Sequence, residues 1–392
     1  MKKFKWQKYV WPFVATILIA GGGFLYWQWQ REKLALINEN IGISNSLSSS
    51  LASISAQLTL LKAEDQVVKN NQLAAEVKQI NTAFKNASAQ YEEMLDLRDS
   101  GVKINKIEVL FGPLLADLAK MDYGAATLKT ATISAKIKEE KAKSLPIVGV
   151  LNLASVPESN VPPGSGFSRQ KVKVGEQFFV VDVVAADLSN TRVIVDTASE
   201  GDCGDNCPVL PLATYVSRNG AIAGINGSYF CPATYPTCAN KKNPFDTLLM
   251  NKNKKYFNSD NNVYSTVPAV IFSGTSAKFV SQSLQWGRDT GVDAVLANYP
   301  LLVSGKSLAT GDSSDEKLAA AGNRAFIANK GSMVYIGVVR GVSVVGSARV
   351  LVEMGMDNAL NLDSGGSTAL WFGGYKYGPG RDIPNAILLV RR

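Results

Sequence analysis

A run of 21 residues, Tyr9 to Trp29, carries no charged side chain, and any fold of this chain must find an apolar place for it. At 1.5 Å per residue a helix of that length reaches roughly 30 Å, the thickness of a bilayer core. Trp6, Tyr9 and Trp11 sit at one end and Tyr26, Trp27 and Trp29 at the other, as interfacial belts do. Lys2, Lys3, Lys5 and Lys8 precede the run, while Arg31 and Lys33 with Glu32 follow it. The sequence thus predicts a cytoplasmic N-terminus over 1–8, a transmembrane helix over 9–29 and an extracytoplasmic remainder, periplasmic or at the cell surface. A cleavable signal peptide competes, since Ala20 and Gly21 to Gly23 offer small residues. The run continues past them into aromatics, which favours an uncleaved anchor with the membrane as a partner.

The hydrophobic share of 46% and charged share of 19% are those of a folded chain. At about 150 residues per domain, the length of 392 allows two or three units. Part of the formal charge of +8 belongs to the lysines beside the first run, so nucleic acid is not an expected partner. There is no histidine. That excludes the Ser-His-Asp triad, the Cys-His dyad and imidazole zinc sites, and leaves acid–base work to carboxylates, Lys, Tyr or Cys. Cys203, Cys207, Cys231 and Cys238 fall within 36 residues and form no CxxC. Outside a membrane they read as two disulfides; Cys203–Cys207 with Cys231–Cys238 is the local pairing among three connectivities, and zinc ligation is the alternative.

From Leu47 the apolar positions step by four and three through Leu51, Ile54, Leu58 and Leu61 to Val68, with Asp65 at one seam position. After a phase shift the rhythm resumes at Leu73, Val77, Ile80, Phe84, Ala87, Tyr91 and Met94. This heptad signal predicts a helical, coiled-coil-like stalk over 30–143. Ile104, Ile107, Leu110, Leu114 and Leu118 continue a helical pattern, broken by Gly112-Pro113. The seam then has two possible partners: a second copy, giving a homo-oligomer, or the later segment folded back as a hairpin. Residues 144–170 read as a linker, with Pro146, Pro157, Pro162 and Pro163 followed by Gly164 and Gly166. Ser168 and Lys171 make an S-x-x-K there by chance, with no supporting motif.

Beyond the linker, over 171–392, the pattern turns to short β runs at Phe178 to Val184, Arg192 to Val195, Ala221 to Ile225 and Ala269 to Phe272. Others follow at Ala325 to Ala328, Met333 to Val338 and Ala386 to Val390, with helical patterns at Leu210 to Arg218 and Val344 to Met354. The predicted fold class is α+β: a mixed β-sheet domain with interspersed helices, preceded by the transmembrane helix and the stalk.

Three groups of residues could carry chemistry. In Gly224-Ile225-Asn226-Gly227-Ser228-Tyr229-Phe230 a strand runs into Asn-Gly, a turn that exposes the Asn amide or marks an ordinary hairpin. In Asn361-Leu362-Asp363-Ser364-Gly365-Gly366-Ser367 a short apolar strand ends in an acid and two glycines. The Gly365 and Gly366 amides could form an anion nest; a structural Asx turn is the plainer reading. Arg324, at the start of a strand, and Arg381 suit bidentate recognition of phosphate, or surface salt bridges.

Together these segments resemble the phosphodiester glycosidase family. The family's Asn-Gly-Gly-Phe-Phe-like strand end is matched by Asn226 to Phe230, and its Pro-Leu-Leu-x-x-Gly by Pro300 to Gly305. Its Arg-bearing strand is matched at Arg324, its Asn-Leu-Asp-Gly-Gly-Gly-Ser by Asn361 to Ser367, and its Arg-x-x-Pro-Asn-Ala by Arg381 to Ala386. The five segments keep their order across about residues 176–392. Ser228 and Ser364 replace glycines, and the region around Gly346-Ser347-Ala348 lacks the family's acid.

The resemblance implies a hydrolase that cleaves a sugar 1-phosphodiester, as in an envelope glycan or glycoconjugate. A leaving phosphomonoester has a second pKa of about 6 and needs little protonation, so one carboxylate with good phosphate clamps suffices. Asp363 is expected as nucleophile or base, Asn226 and Asn361 on sugar hydroxyls, and Arg324 and Arg381 on the phosphate. Gly227 is expected among the substrate-binding residues with Asn226, the Gly365 and Gly366 amides add donors, and Asp382 is the weakest candidate for a second carboxylate. No cofactor is called for, and a Ca²⁺ or Mg²⁺ near Asp363 stays open. The competing reading is a non-catalytic glycan-binding or scaffold module on the stalk. The two differ in whether Asp363, Arg324 and Arg381 meet on an open cleft of about 300 Å³ or more.

Overall fold

The computed structural model describes residues 7–63, 65–99, 101–144, 155–258 and 266–392. It divides into two compact units, Met1–Gln79 and Ile80–Arg392. The linker residues 145–154 and Lys2, Lys3, Lys5 and Trp6 of the expected N-terminus lie outside the described residues.

The first unit is helical: α1 spans Gln7–Ala63 and α2, Asp65–Asp99, begins in it. The expected transmembrane helix is not borne out. Among the described residues no helix is long and apolar enough to cross a membrane. Lack of charge is not the same as hydropathy: Pro12, Thr16, Gly21 to Gly23 and Gln28 are uncharged yet add little favourable transfer energy, and Trp and Tyr favour interfaces. The cytoplasmic and extracytoplasmic assignments and the membrane partner, all drawn from that span, fall with it. Leu47, Leu51, Ile54, Leu58 and Leu61 are each more than half exposed along α1.

In the second unit the rest of α2 meets α3 (Asn105–Glu108), α4 (Phe111–Ala119) and α5 (Tyr123–Ser144). Here the hairpin alternative is realised. Ala83, Ala87, Met94 and Leu97 are buried with Ile107, Leu114, Ile133 and Ile137, a helical core of its own.

The remainder is built from antiparallel sheets, so the α+β expectation is borne out. A seven-stranded sheet runs in the order Gly166–Val174, Gln177–Asp187, Met333–Val342, Gly322–Lys330, Asn358–Asn361, Leu301–Ser304, Ser307–Leu308. A second sheet orders Tyr375–Tyr377, Leu370–Phe372, Ala223–Asn226, Asn385–Arg391, Thr191–Thr197. A third orders Tyr256–Phe257, Leu249–Met250, Ala294–Ala297, Ala269–Ser273, Ser276–Val280. The first strand starts at Gly166, within the stretch read as linker.

Along Gln177–Asp187, Val184 and Ala186 enter the core shared by the three sheets, while Val181, Val183 and Ala185 face the opposite way. That alternation of period two is a strand buried on both faces. The short helices α6 (Leu212–Arg218) and α7 (Glu316–Ala319) lie outside the sheets in sequence, and α8 (Val344–Glu353) covers the far face of the first sheet. Ser343 caps α8 by accepting from the Gly346 amide at 3.0 Å. Both local disulfides are present, Cys203–Cys207 and Cys231–Cys238, which removes the zinc alternative.

Candidate active site

The Asp363 loop is fixed where two sheets meet. Asp363 follows the strand Asn358–Asn361 of the first sheet; its amide donates to the Gly227 carbonyl at 2.9 Å, at the end of a strand of the second. Leu362 before it donates to the Ala325 carbonyl at 2.9 Å. Asn226 ties the same joint: Nδ2 donates to the Asp363 carbonyl at 2.6 Å and Oδ1 accepts from the Ala369 amide at 3.1 Å. Its whole side-chain amide therefore holds protein backbone. Gly227 is required by crowding, since a Cβ there would lie 1.8 Å from Asn385 Oδ1. That oxygen accepts from the Ser228 amide at 3.0 Å.

The Asp363 carboxyl is nearly buried, at 9% exposure. Burial pushes its pKa up to about 7, against the pull of Ser367, Arg381 and the Ser364 amide; the Asp96 charge adds to the rise. Asp363 Oδ1 accepts from the Ser364 amide at 2.8 Å. The chain then makes a turn, Gly365–Ser367, with Gly365 at φ +65°.

Arg381 lies flat on that turn. A Cβ on Gly366 would stand 2.3 Å from Arg381 Nη2, so only glycine admits the guanidinium. The Arg381 amide donates to the Gly366 carbonyl at 2.7 Å. Its partners were missed by the sequence reading. Nη2 donates to Asp96 of α2, Nε faces Asp99 Oδ2 at 3.1 Å, and the guanidinium packs over the Tyr235 ring at 4.9 Å. The Gly366 amide also donates to Asp96 Oδ1, at 3.4 Å, and the Tyr235 hydroxyl donates to the same oxygen. Burial works against the Arg381 charge, but Asp96, Tyr235 and Asp99 outweigh it and hold its pKa above the ordinary arginine range.

Arg324 has a different environment. Nε donates to the Val342 carbonyl at 3.1 Å, and Nη2 to the carbonyls of Lys317, at 2.9 Å, and Ala320. It tethers the loop that bears α7 to the first sheet. Asn361 Nδ2 donates to the Tyr229 hydroxyl at 2.6 Å and to the Tyr299 carbonyl at 3.0 Å, while its Oδ1 is buried without a partner. Tyr229 and Tyr299 pack at 4.9 Å, and burial raises both phenols. The charges of Asp246, Asp315 and Asp363 are all felt at Tyr299, so Asp246 and Asp315 are further carboxylates at this patch that the sequence reading passed over. The Asp246 amide donates to the Tyr229 carbonyl at 3.2 Å. Asp382 is exposed, and its charge is felt at Tyr215 of α6.

The structure thus brings Asp363, Gly365 and Gly366 onto one loop with Arg381 packed against it and Asn226 and Gly227 bonded to it, and gives Arg324 to a different loop. A cavity of about 230 Å³ opens between Pro300, Thr310, Leu318, Ser343 and Val344; neither Asp363 nor Arg381 lines it. Among the described residues no group of three or more carboxylates or thiols is placed to hold a metal ion. The spacing Glu92, Asp96, Asp99 puts three acids on one helix face, which is the signal that could have marked α2.

Residues 219–390 match the family model of the phosphodiester glycosidases, and the five-segment resemblance is borne out there. No curated protein matches the sequence. Among solved structures, a hypothetical protein from Synechocystis is similar at 13% identity and a TM-score of 0.43, over 58% of this chain and 62% of that one. The catalytic domain of zebrafish N-acetylglucosamine-1-phosphodiester alpha-N-acetylglucosaminidase, auto-inhibited by its pro-peptide, is similar at 12% identity and a TM-score of 0.46, over 60% and 87%.

Proposed function

We propose that the domain hydrolyses the bond between the anomeric carbon of a sugar and a phosphodiester, releasing sugar and a phosphomonoester. The observation that supports this most is one short turn carrying both a desolvated carboxyl, Asp363, and an anion cradle of the Gly366 amide and the Arg381 guanidinium. Above about pH 7 Asp363 is ionised and serves as nucleophile or base for water. Arg381 and the amide neutralise the phosphate, whose second pKa of about 6 makes it a leaving group that needs little proton. Asn361, with its partnerless buried oxygen, faces a sugar hydroxyl. Asn226 and Gly227 position the Asp363 loop, and Arg324 acts at a distance by holding the α7 loop. Asp246 is a better second carboxylate than Asp382, because it shares the Tyr299 patch with Asp363.

The test is release of sugar from an N-acetylglucosamine-1-phosphate methyl ester by the full chain and by Asp363→Asn. Turnover that vanishes in the variant is expected; equal turnover removes Asp363 from the mechanism. A glycan-binding module is the second reading, and the filled cradle, with Asp96 on Arg381, favours it. Glycan retention with no release from any ester of a modest panel, by the full chain or by a variant lacking Asp96 and Asp99 carboxylates, would establish that reading instead.

A further inference from the structure

The donors assigned above to the phosphate already hold an anion, and it belongs to the chain. Asp96 Oδ1 accepts from the Gly366 amide, the Arg381 guanidinium and the Tyr235 hydroxyl, three donors converging on one oxygen as they would on a phosphate oxygen. One helical turn on, Asp99 Oδ2 lies 3.1 Å from Arg381 Nε. One turn back, Glu92 Oε1 accepts from the Thr237 amide at 3.3 Å and from its hydroxyl, and Glu92 Oε2 pairs with Lys317 Nζ at 3.1 Å. Tyr235 and Thr237 both stand in the loop closed by Cys231–Cys238. A carboxylate that takes these donors competes with a substrate phosphate rather than assisting it.

The contact is polar. The helical core of α2 to α5 and the cores of the sheets share no residue, and Tyr235 is the aromatic of the β region that packs on the helical core. Opposite charges and hydrogen bonds therefore hold this helix face in place, and another anion can exchange with them without opening a core.

We propose that the Glu92-Asp96-Asp99 face of α2 is a displaceable internal competitor for the anion cradle, closing the site until an incoming anion or a movement of the helix lifts it. This rests on reading the cradle as the phosphate subsite. Calorimetric titration of the full chain with inorganic phosphate tests it against Asp96→Asn/Asp99→Asn. The double variant is expected to bind phosphate about tenfold more tightly or better, as loss of one charged contact predicts, and adding Arg381→Gln abolishes the gain. Thr237→Val, which loosens Glu92 without touching the cradle, gives a smaller gain of the same sign and covers the case of a double variant that fails to fold. Unchanged or weaker phosphate binding in a folded double variant overturns the proposal. Tighter phosphate binding without ester turnover keeps it and sinks the hydrolase; turnover by the unaltered chain with no gain in the variant does the reverse.

Discussion

Two buried arginines stand close to the Asp363 loop and hold different things. Arg324 sits beside Ala325, which accepts from Leu362, and its guanidinium meets neutral carbonyls of Val342, Lys317 and Ala320. Arg381 lies on Gly366 and meets carboxylates, Asp96 and Asp99. Carbonyls of a folded backbone have no substitute, so the first arginine is part of the scaffold. Carboxylates can be replaced by another anion, and it is there that we propose the anion subsite, with Asp96 and Asp99 as its internal occupants. The same side chain, in the same family pattern, meets neutral partners in one place and charged ones in the other, and the proposal separates structure from function along that line.

The largest expected effect removes the acid beside the ligand arginine: Asp363→Asn lowers ester turnover about a thousandfold or more. The same variant melts higher than the unaltered chain at pH 8 and equally at pH 4. Burial raises the Asp363 pKa to about 7, so the folded state binds its proton more tightly than the unfolded state. The stability this confers is complete at low pH and is lost as pH rises through about 7, a loss the neutral amide does not suffer. Arg381→Gln comes next, with turnover lower by about a hundredfold and a lower melting temperature, because Asp96 and Asp99 lose their charged partner. Gly366→Ala places a Cβ 2.3 Å from Nη2 and lifts the guanidinium, for about a tenfold loss in kcat/KM.

Arg324→Gln is the counter-test. Three carbonyls lose donors, so denaturant unfolding should show about 2–4 kcal/mol less stability, with turnover per folded molecule nearly kept. A normal melting curve with turnover lost would reverse the assignment of the two arginines. The smallest expected effect is on the pH profile. kcat/KM rises through about pH 7 as Asp363 ionises, and Arg381→Gln, by removing a charge that pulls the pKa down, moves the midpoint upward.

Much of the β region was legible. Phe178 to Val184, Met333 to Val338 and Ala386 to Val390 fall inside strands, and Leu210 to Arg218 and Val344 to Met354 nearly coincide with α6 and α8. Local alternation and helical spacing are properties of neighbouring residues, and they survive in the fold. The loop motifs were legible as an ordered set, and the turn does bring Asp363, Gly366 and Arg381 together. The pairing of Asp96 with Arg381 was not, because it joins positions 285 apart that no periodicity links. Nor does the letter at position 324 reveal whether its neighbours are carbonyls or a ligand. The heptad rhythm covers α1 and α2 alike, yet Leu51 and Leu58 are exposed while Ala87 and Met94 are buried; a repeat states that a face wants a partner and not which one. The uncharged N-terminal run was over-read, because its Gly, Pro and Thr count as apolar only by default.

The strand Asn385–Arg391 lies between Ala223–Asn226 and Thr191–Thr197. Asn385 meets Gly227 and Ser228 from a position more than a hundred residues later in the chain. During synthesis, then, Gly227 and Ser228 have no Asn385 to meet until this strand leaves the ribosome. A nascent chain that already displays α1 to α5 and most of the β region still lacks this joint, and the acidic face of α2 is made long before the arginine it pairs with. The order of translation thus makes the acids of this ion pair well before their arginine.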